Sequence, residues 1–337
     1  MKILSFLTLV TLAAGCAFGQ AELGSHTWTA TIKVVDDNDQ PVEGANVSVS
    51  YFLPASETQN TDKQWDEIKG LSDADGTFTA SHTDASLSLG IHAQKVGYYS
   101  TYLDHELYLP GQFDEQTVAA NRNSTLKVVL KKIGNPIPMY ANRVDIAHKE
   151  KPALDKPIGF DLMAGDWIAP YGKGKNADMF FTWHVDQDMN VVPALGTHDN
   201  RGSDSKLTIS FPNAGDGIQE FDVPGRFGNE GSELRSPQEA PAEKYESQLI
   251  KLQSWHPDRA STNTYDHIHK NYFLRVQTVL DENGKVKSAL YGKIYGDFDE
   301  VFSTYLNPEP NSRNMEFDPK QNLSQNKKPR EPKVTAP

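Results

Sequence analysis

The feature that most constrains the fold is a polar turn, Asp36–Gln40, that separates two stretches in which apolar and polar residues alternate. In the first stretch, Thr27–Val35, one face carries only apolar side chains, namely Trp28, Ala30, Ile32 and Val34. The second stretch repeats the alternation with Val47, Val49 and Tyr51. Strict alternation is typical of a β-strand with one buried face. The sequence therefore predicts two short strands joined by a tight connection.

A second turn of the same kind, Ser72–Gly76, leads into a further strand at Thr77–Ala80. Two more alternating stretches follow at Ser86–Gln94 and Ser124–Lys131. Asp suits such turns because its side chain bonds to nearby backbone amides, and Gly tolerates a positive φ. The turn lacks the distant acidic ligand of a calcium loop, so we interpret its aspartates as turn residues. Five or more short strands separated by turns predict an all-β sandwich.

Three short motifs and a closing hydrophobic strand occur in a set order between residues 27 and 132. The motifs are Pro41-Val42-x-Gly44-Ala45-x-Val47, Ser72-Asp73-x-Asp75-Gly76-x-Phe78 and Val96-Gly97-Tyr98. As a set they resemble the carboxypeptidase regulatory-like domain. The resemblance implies a transthyretin-like (prealbumin-like) β-sandwich over residues 24–132 and an accessory role without peptidase activity. The stretch Tyr51–Leu71 departs from the family because it is a long polar insertion, with Trp65 inside it.

The remainder of the chain predicts a second β-rich, sandwich-like domain over residues 155–320. Its clearest signal is a hairpin, in which the alternating stretches Tyr272–Leu280 and Val286–Tyr295 flank the turn Asp281–Gly284. Periodicity alone leaves residues 241–254 open between a helix and a strand. The predicted fold class is therefore mostly β, with a transthyretin-like sandwich followed by a second β-rich domain.

Two segments lack the periodicity of a strand or helix. Residues 133–154 are rich in Pro, Asn and Lys, and we interpret them as a linker between the domains or a strap across their junction. Residues 321–337 are polar, contain prolines and are locally basic, so they predict a disordered tail.

The N-terminus has the features of a secretory signal over residues 1–19. A lysine precedes an apolar run, Ile3–Leu12, which is too short to span a membrane, and small residues follow. Cleavage after Gly19 would release the chain. Alternatively, Ala13-Ala14-Gly15-Cys16 resembles a bacterial lipobox, whose cysteine would carry lipid, although Leu lies one place earlier than usual. Either route predicts an exported protein in the periplasm, at the cell surface or outside the cell.

Composition excludes several classes of function. The net charge is −12, which opposes binding to a nucleic-acid backbone. Cys16 is the only cysteine, and it lies in the signal, so cysteine-based zinc sites and thiol nucleophiles are excluded. Contact with a membrane is expected only through a lipid on Cys16. The chain contains neither a Gly-x-Ser-x-Gly serine motif nor a phosphate-binding glycine loop.

The candidate metal site is His267 and His269, because residues two apart on a strand share a face. His256, in Trp255-His256-Pro257-Asp258, could supply a third ligand. The alternative is that these histidines are polar residues bonded to their neighbours. We prefer this alternative, and we expect no bound metal or other cofactor.

Aromatic residues give the remaining signal. Trp65 lies in a polar stretch, and Tyr98, Tyr99 and Tyr102 cluster after one strand. Exposed rings can stack on the faces of sugars or anchor a protein contact, whereas most such rings are buried in a core. Trp65 is the ring that we expect to be exposed.

The predicted function is that of an exported, non-enzymatic binding or accessory protein, with a glycan as the first candidate ligand. One alternative is a metal-dependent enzyme in the second domain that uses His267 and His269. Another is a structural protein of the cell envelope that docks on a protein partner.

Overall fold

The computed structural model describes residues 26–52, 65–84, 88–107, 115–146, 152–187, 202–223, 230–256, 259–266, 268–298, 301–324 and 333–337. The predicted signal, with Cys16 and Gly19, lies outside these ranges, as do residues 53–64 of the insertion and His267. The protein is mostly β, which confirms the predicted fold class. No helix in the described ranges is long and apolar enough to cross a membrane.

The first domain is a sandwich of two sheets. Its elements are β1 (His26–Asp36), β2 (Asn46–Phe52), β3 (Trp65–Leu71), β4 (Thr77–Asp84), β5 (Ser88–Gln94), β6 (Thr101–Glu106), the short helix α1 (Glu115–Asn121) and β7 (Asn123–Leu130). One sheet has the order β4-β1-β7, with β1 and β7 parallel, and the other contains β6-β5-β2-β3. The alternating apolar residues face inward, and Trp28, Ile32, Val34, Val49 and Tyr51 are buried between the sheets.

Side-chain hydrogen bonds form the two acidic turns. The Asp36 carboxylate accepts the backbone N–H groups of Asn38 and Gln40, and Asp73 accepts those of Asp75 and Thr77. A carboxylate that accepts backbone amides two and four residues later holds the chain in a tight turn. The geometry agrees with the interpretation of these aspartates as turn residues.

The second domain is also built from two stacked sheets. Its strands are β8 (Tyr140–Asp145), β9 (Ile158–Asp161), β10 (Asp166–Trp167), β11 (Met179–Gln187), β12 (Ser203–Ser210), β13 (Gly217–Asp222), β14 (Gly231–Ser232), β15 (Gln248–His256), β16 (Arg259–Asn263), β17 (Lys270–Leu280), β18 (Val286–Tyr295) and β19 (Val301–Leu306). A six-stranded sheet has the order β10-β9-β11-β12-β15-β16, and a five-stranded sheet has the order β13-β17-β18-β19-β8. The predicted hairpin is β17 and β18.

Packed aromatic rings fill much of the core between these two sheets. The Phe181 ring contacts Phe160, Trp167, Trp183 and Phe298, with ring centroids between 5.1 and 5.9 Å from it. Such ring pairs contribute about 0.5–1.5 kcal/mol each beyond the area they bury. The aromatic cluster therefore ties the six-stranded sheet to the loop after β18, where Phe298 lies.

The segment interpreted as a linker is partly structured. Strand β8 lies within residues 133–154, and it pairs antiparallel with β19 along its whole length. Prolines and amides around this strand conceal its weak alternation in the sequence, so the prediction of a linker over 133–154 requires correction. The segment 241–254, left open between helix and strand, contains the start of β15.

The two domains are joined by a strand as well as by the chain between them. Strand β14 pairs antiparallel with β6 and so adds to the first domain's second sheet. The Nζ atom of Lys131, at the end of the first domain, donates to the carbonyl oxygens of Leu234, Arg235 and Ser236 at 2.9, 3.3 and 3.0 Å. Residues after β14 therefore follow the surface of the first domain.

The outer face of the five-stranded sheet carries a third apolar cluster, and part of the predicted tail packs there. The buried members of this cluster are Met139, Ala141, Ala240, Phe273, Ala289, Tyr291, Tyr295, Tyr305, Met315 and Phe317. Val334 and Ala336 pack against them, and Pro337 is buried. The described residues of 321–337 thus make defined contacts, in contrast to the disorder that their composition predicts.

Candidate functional site

The outer face of β6-β5-β2-β3 forms a shallow groove of about 520 Å³. Because side chains alternate along β2, Val47, Val49 and Tyr51 point into the core while Ser48 and Ser50 face the groove. The register places Ser50 opposite both Glu67 and Gly90, and Ser48 opposite Lys69 and His92. The groove floor is therefore made from the polar half of the alternation.

Three aromatic rings lie on this outer face of the sheet, and one of them, Tyr102, lines the groove. Phe52 and Trp65 are opposite each other on β2 and β3, and their ring centroids are 6.4 Å apart. A Cβ atom placed on Gly90 would lie 2.8 Å from the Tyr102 hydroxyl oxygen and 3.0 Å from Cε2 of Phe52. The glycine thus makes room for the Phe52 and Tyr102 side chains to lie over the sheet. Trp65 is 48% exposed and extends the apolar surface outward.

Charged and hydroxyl groups line the rest of the groove. Glu67 accepts a short hydrogen bond from the Ser48 hydroxyl and pairs with Lys69 at 2.7 Å. These bonds, from Lys69 first and Ser48 second, lower the pKa of Glu67. Tyr102 donates its hydroxyl to Asp104 at 2.6 Å, and burial together with this contact raises the pKa of Tyr102. At neutral pH the groove therefore presents a carboxylate, an ammonium group and hydroxyls beside aromatic rings.

The four aromatic residues proposed as ligand contacts have different positions in the structure. Trp65 and Tyr102 lie on the same exposed face. Tyr98 packs partly against the core of the first domain and lies under Lys95. Tyr99 is buried, and its hydroxyl donates to Glu316 of the second domain. Trp65 is the first residue of strand β3, which revises its placement within an insertion loop.

The sequence did not single out several groove residues. In the sequence, Ser48, Glu67, Lys69 and Gly90 stand out only as parts of strands or of the insertion. The alternation of β2 predicts that Ser48 and Phe52 lie on the outer face of the sheet. Their neighbours on the adjacent strands depend on the register, which the sequence does not reveal. Glu67 and Lys69 joined this face only because the polar insertion continues as an edge strand.

The histidines considered for metal binding are engaged with carboxylates where the structure describes them. The His256 ring lies 3.1 Å from Asp204, and that of His269 lies 2.8 Å from Asp266. His267 lies outside the described residues. Among the residues that are described, no group of three His, Cys, Asp or Glu side chains is arranged to hold a metal ion.

Comparisons with known proteins leave the family open. No model of a protein family matches the sequence, and no curated protein matches it. Among solved structures, 3-chlorocatechol 1,2-dioxygenase of Rhodococcus opacus is 15% identical with a TM-score of 0.26, over 34% of this chain and 63% of that one. Catechol 1,2-dioxygenase of Acinetobacter radioresistens is 15% identical with a TM-score of 0.25, over 32% of this chain and 52% of that one. The shaft pilin SpaA of Lactobacillus rhamnosus GG is 12% identical with a TM-score of 0.22, over 57% of this chain and 90% of that one.

Proposed function

We propose that this is an exported, non-enzymatic binding protein whose first domain holds a saccharide in the groove on its outer sheet face. The observation that carries the proposal is the position of the Trp65, Phe52 and Tyr102 rings beside Glu67 and Lys69. A sugar ring has an apolar face that stacks on aromatic side chains and hydroxyl groups that bond to charged ones. The groove presents both kinds of surface next to each other.

The groove's shape and charge favour a neutral or mixed-polarity chain over a strongly charged ligand. Glu67 pairs with Lys69, and the Asp104 carboxylate accepts a hydrogen bond from Tyr102, so the groove holds charges of both signs. The groove is open along the sheet, which suits a segment of an extended polymer. An accessory role in the envelope agrees with the resemblance to carboxypeptidase regulatory-like domains and with the predicted signal over residues 1–19.

Binding of the purified protein to an array of glycans, followed by calorimetry with the best ligand, tests this proposal. Trp65→Ala should weaken binding by about tenfold, because loss of one ring contact removes up to about 1.5 kcal/mol. Trp255→Ala is the matched control, since this tryptophan is 43% exposed on the second domain. The absence of any retained glycan, or equal losses in both variants, would contradict the proposal.

Export itself is tested by the intact mass of the protein recovered from its native cells. A new N-terminus at Gln20 supports release, and a lipid on Cys16 supports anchoring. Full-length protein that begins at Met1 would contradict both forms of the prediction.

A further inference from the structure

A fully buried lysine lies in the middle of the apolar cluster on the outer face of the five-stranded sheet. Lys293 has no exposed surface, and its Nζ atom donates to the Tyr295 hydroxyl and the Met315 carbonyl, both at 2.7 Å. The Ser236 hydroxyl is 3.4 Å away. Within the described residues, no Asp or Glu side chain forms an ion pair with this amine. Apolar and aromatic residues of the cluster line the pocket around this polar centre, and Lys131 and Glu316 lie close enough to act on the charge of the amine.

The remaining contacts of this polar centre come from residues 333–337. Lys293 Nζ and the Tyr295 hydroxyl both donate to the Pro337 oxygen at 3.0 Å, and the Tyr305 hydroxyl donates to the Ala336 carbonyl at 3.2 Å. Val334 and Ala336 pack on the apolar cluster. Residues 333 and 335 are exposed, so alternate side chains enter the pocket.

This mode of attachment is that of a bound peptide. No residue of 333–337 takes part in a β-ladder. The backbone oxygens of this segment instead accept hydrogen bonds from side chains of the sheet. Residues 325–332 separate this segment in sequence from Ser324. These eight residues include three basic side chains and two prolines. Burying an amine is unfavourable by several kcal/mol when it is charged, so packing alone would favour an apolar residue here.

We infer that the pocket around Lys293 is a binding site for an extended peptide, and that residues 333–337 are its ligand in cis, able to leave and to be replaced by the same sequence supplied in trans. The ligand class is an extended segment that places small apolar side chains at alternate positions and a backbone oxygen on the lysine and tyrosine. This inference is independent of the groove on the first domain.

Accessibility of the amine tests the inference in the full chain. Ala336→Arg places a long charged side chain where Ala336 packs, and should displace the segment. Thr335→Arg is the matched control, because residue 335 is exposed. Labelling with an amine-specific reagent, read at Lys293 by peptide mass mapping, should be at least tenfold faster in Ala336→Arg than in the wild type or the control.

Addition of the peptide acetyl-Val-Thr-Ala-Pro-amide in excess should restore protection of Lys293 in Ala336→Arg. In calorimetry, Lys293→Met in the same background should weaken binding of this peptide by about tenfold, because it removes a hydrogen bond from a charged or strongly polar donor.

Three results would overturn the inference. Ala336→Arg could lack a cooperative thermal transition, which would make the segment part of the core. Lys293 could stay protected in a folded Ala336→Arg variant. The peptide could fail to bind to that variant or to protect its lysine.

Discussion

The Tyr99 hydroxyl of the first domain donates to the Glu316 carboxylate of the second at 3.1 Å. The same carboxylate accepts the backbone N–H groups of Gly134 and Asn135 at 2.8 and 2.7 Å, and the Gln238 side chain at 3.1 Å. Four donors from three parts of the chain thus converge on one buried acid. Glu316 holds the junction of the two domains in a defined geometry.

The first prediction concerns this junction. Tyr99→Phe should lower the free energy of unfolding by about 1 kcal/mol, the usual value of one hydrogen bond. Glu316→Ala should lower it by clearly more, because the buried Tyr99 hydroxyl and two partly buried backbone N–H groups would all lose their acceptor. Urea unfolding of the full chain measures both. Equal effects of the two substitutions would show that Glu316 does not organise the junction.

The second prediction compares two glycines with similar backbone angles. Gly76 has φ +71°, and a Cβ there would lie 2.3 Å from the Val34 carbonyl oxygen. Gly97 has φ +86° but nothing within 4 Å of such a Cβ. Gly97→Ala should therefore show only the positive-φ penalty of about 1 kcal/mol, while Gly76→Ala should be destabilised further. Thermal unfolding gives the comparison, and a Gly97→Ala loss as large as that of Gly76→Ala would contradict it.

The third prediction concerns the ion pair between Lys251 and Asp297, whose atoms Nζ and Oδ2 are 2.7 Å apart and whose side chains are buried. Asp297 also accepts from the Tyr272 hydroxyl and from the backbone of Asp266 and Phe298. Lys251→Met leaves this acid without its cation, and we expect a loss of about 3 kcal/mol in unfolding free energy.

A matched control for this pair is available on the neighbouring strand. Lys206→Met removes an exposed lysine from β12, and should change stability by less than about 0.5 kcal/mol. Comparable losses in the two variants would show that the buried pair has no special role.

The fourth prediction concerns the pH dependence that Lys293 produces. Burial lowers the pKa of Lys293 well below its ordinary value, Lys131 lowers it further, and Glu316 acts in the opposite direction. Below pH 10 the Lys293 amine is therefore protonated to a greater extent in the unfolded chain than in the native state. The native state therefore gains stability relative to Lys293→Met as pH rises from neutrality toward 10.

The slope of this difference should not exceed about 1.4 kcal/mol per pH unit, the limit for one proton. Above pH 10 the difference levels off, because the unfolded chain then loses the same proton. Guanidinium unfolding of both proteins between pH 7 and 10 measures the difference. A difference that stays constant over this range would contradict the prediction.

The sequence predicted the strands whose alternation is strict. Between Trp28 and Val34 in β1 every second residue is apolar, and the turn after β1 forms because the Asp36 side chain accepts nearby backbone N–H groups. The hairpin around Asp281 is equally local, because Asp281 accepts the amides of Asn283 and Lys285. Such features depend only on residues close in the chain, so they can be predicted from the local sequence without knowledge of the fold.

Features that depend on distant partners escaped prediction. Strand β3, Trp65–Leu71, is polar because it lies at an edge, so composition placed it in a loop. Residues 333–337 appear disordered by composition because their partners, Lys293 and Tyr305, are far away in sequence. For the candidate groove, the chemistry of Trp65 and Tyr102 identifies them in the sequence. Gly90 and Glu67 can be assigned to the groove only from the strand register, which places both opposite Ser50.

Strand β14 has a consequence for the order in which the protein can be completed. The first domain's sheet ends at β6, and its outer edge is paired only when Gly231 and Ser232 arrive from the second half of the chain. During synthesis from the N-terminus, this edge has unpaired backbone groups until about half of the second domain has followed. An unpaired edge recruits other strands, so the nascent first domain is the stage at which the protein is most exposed to wrong association.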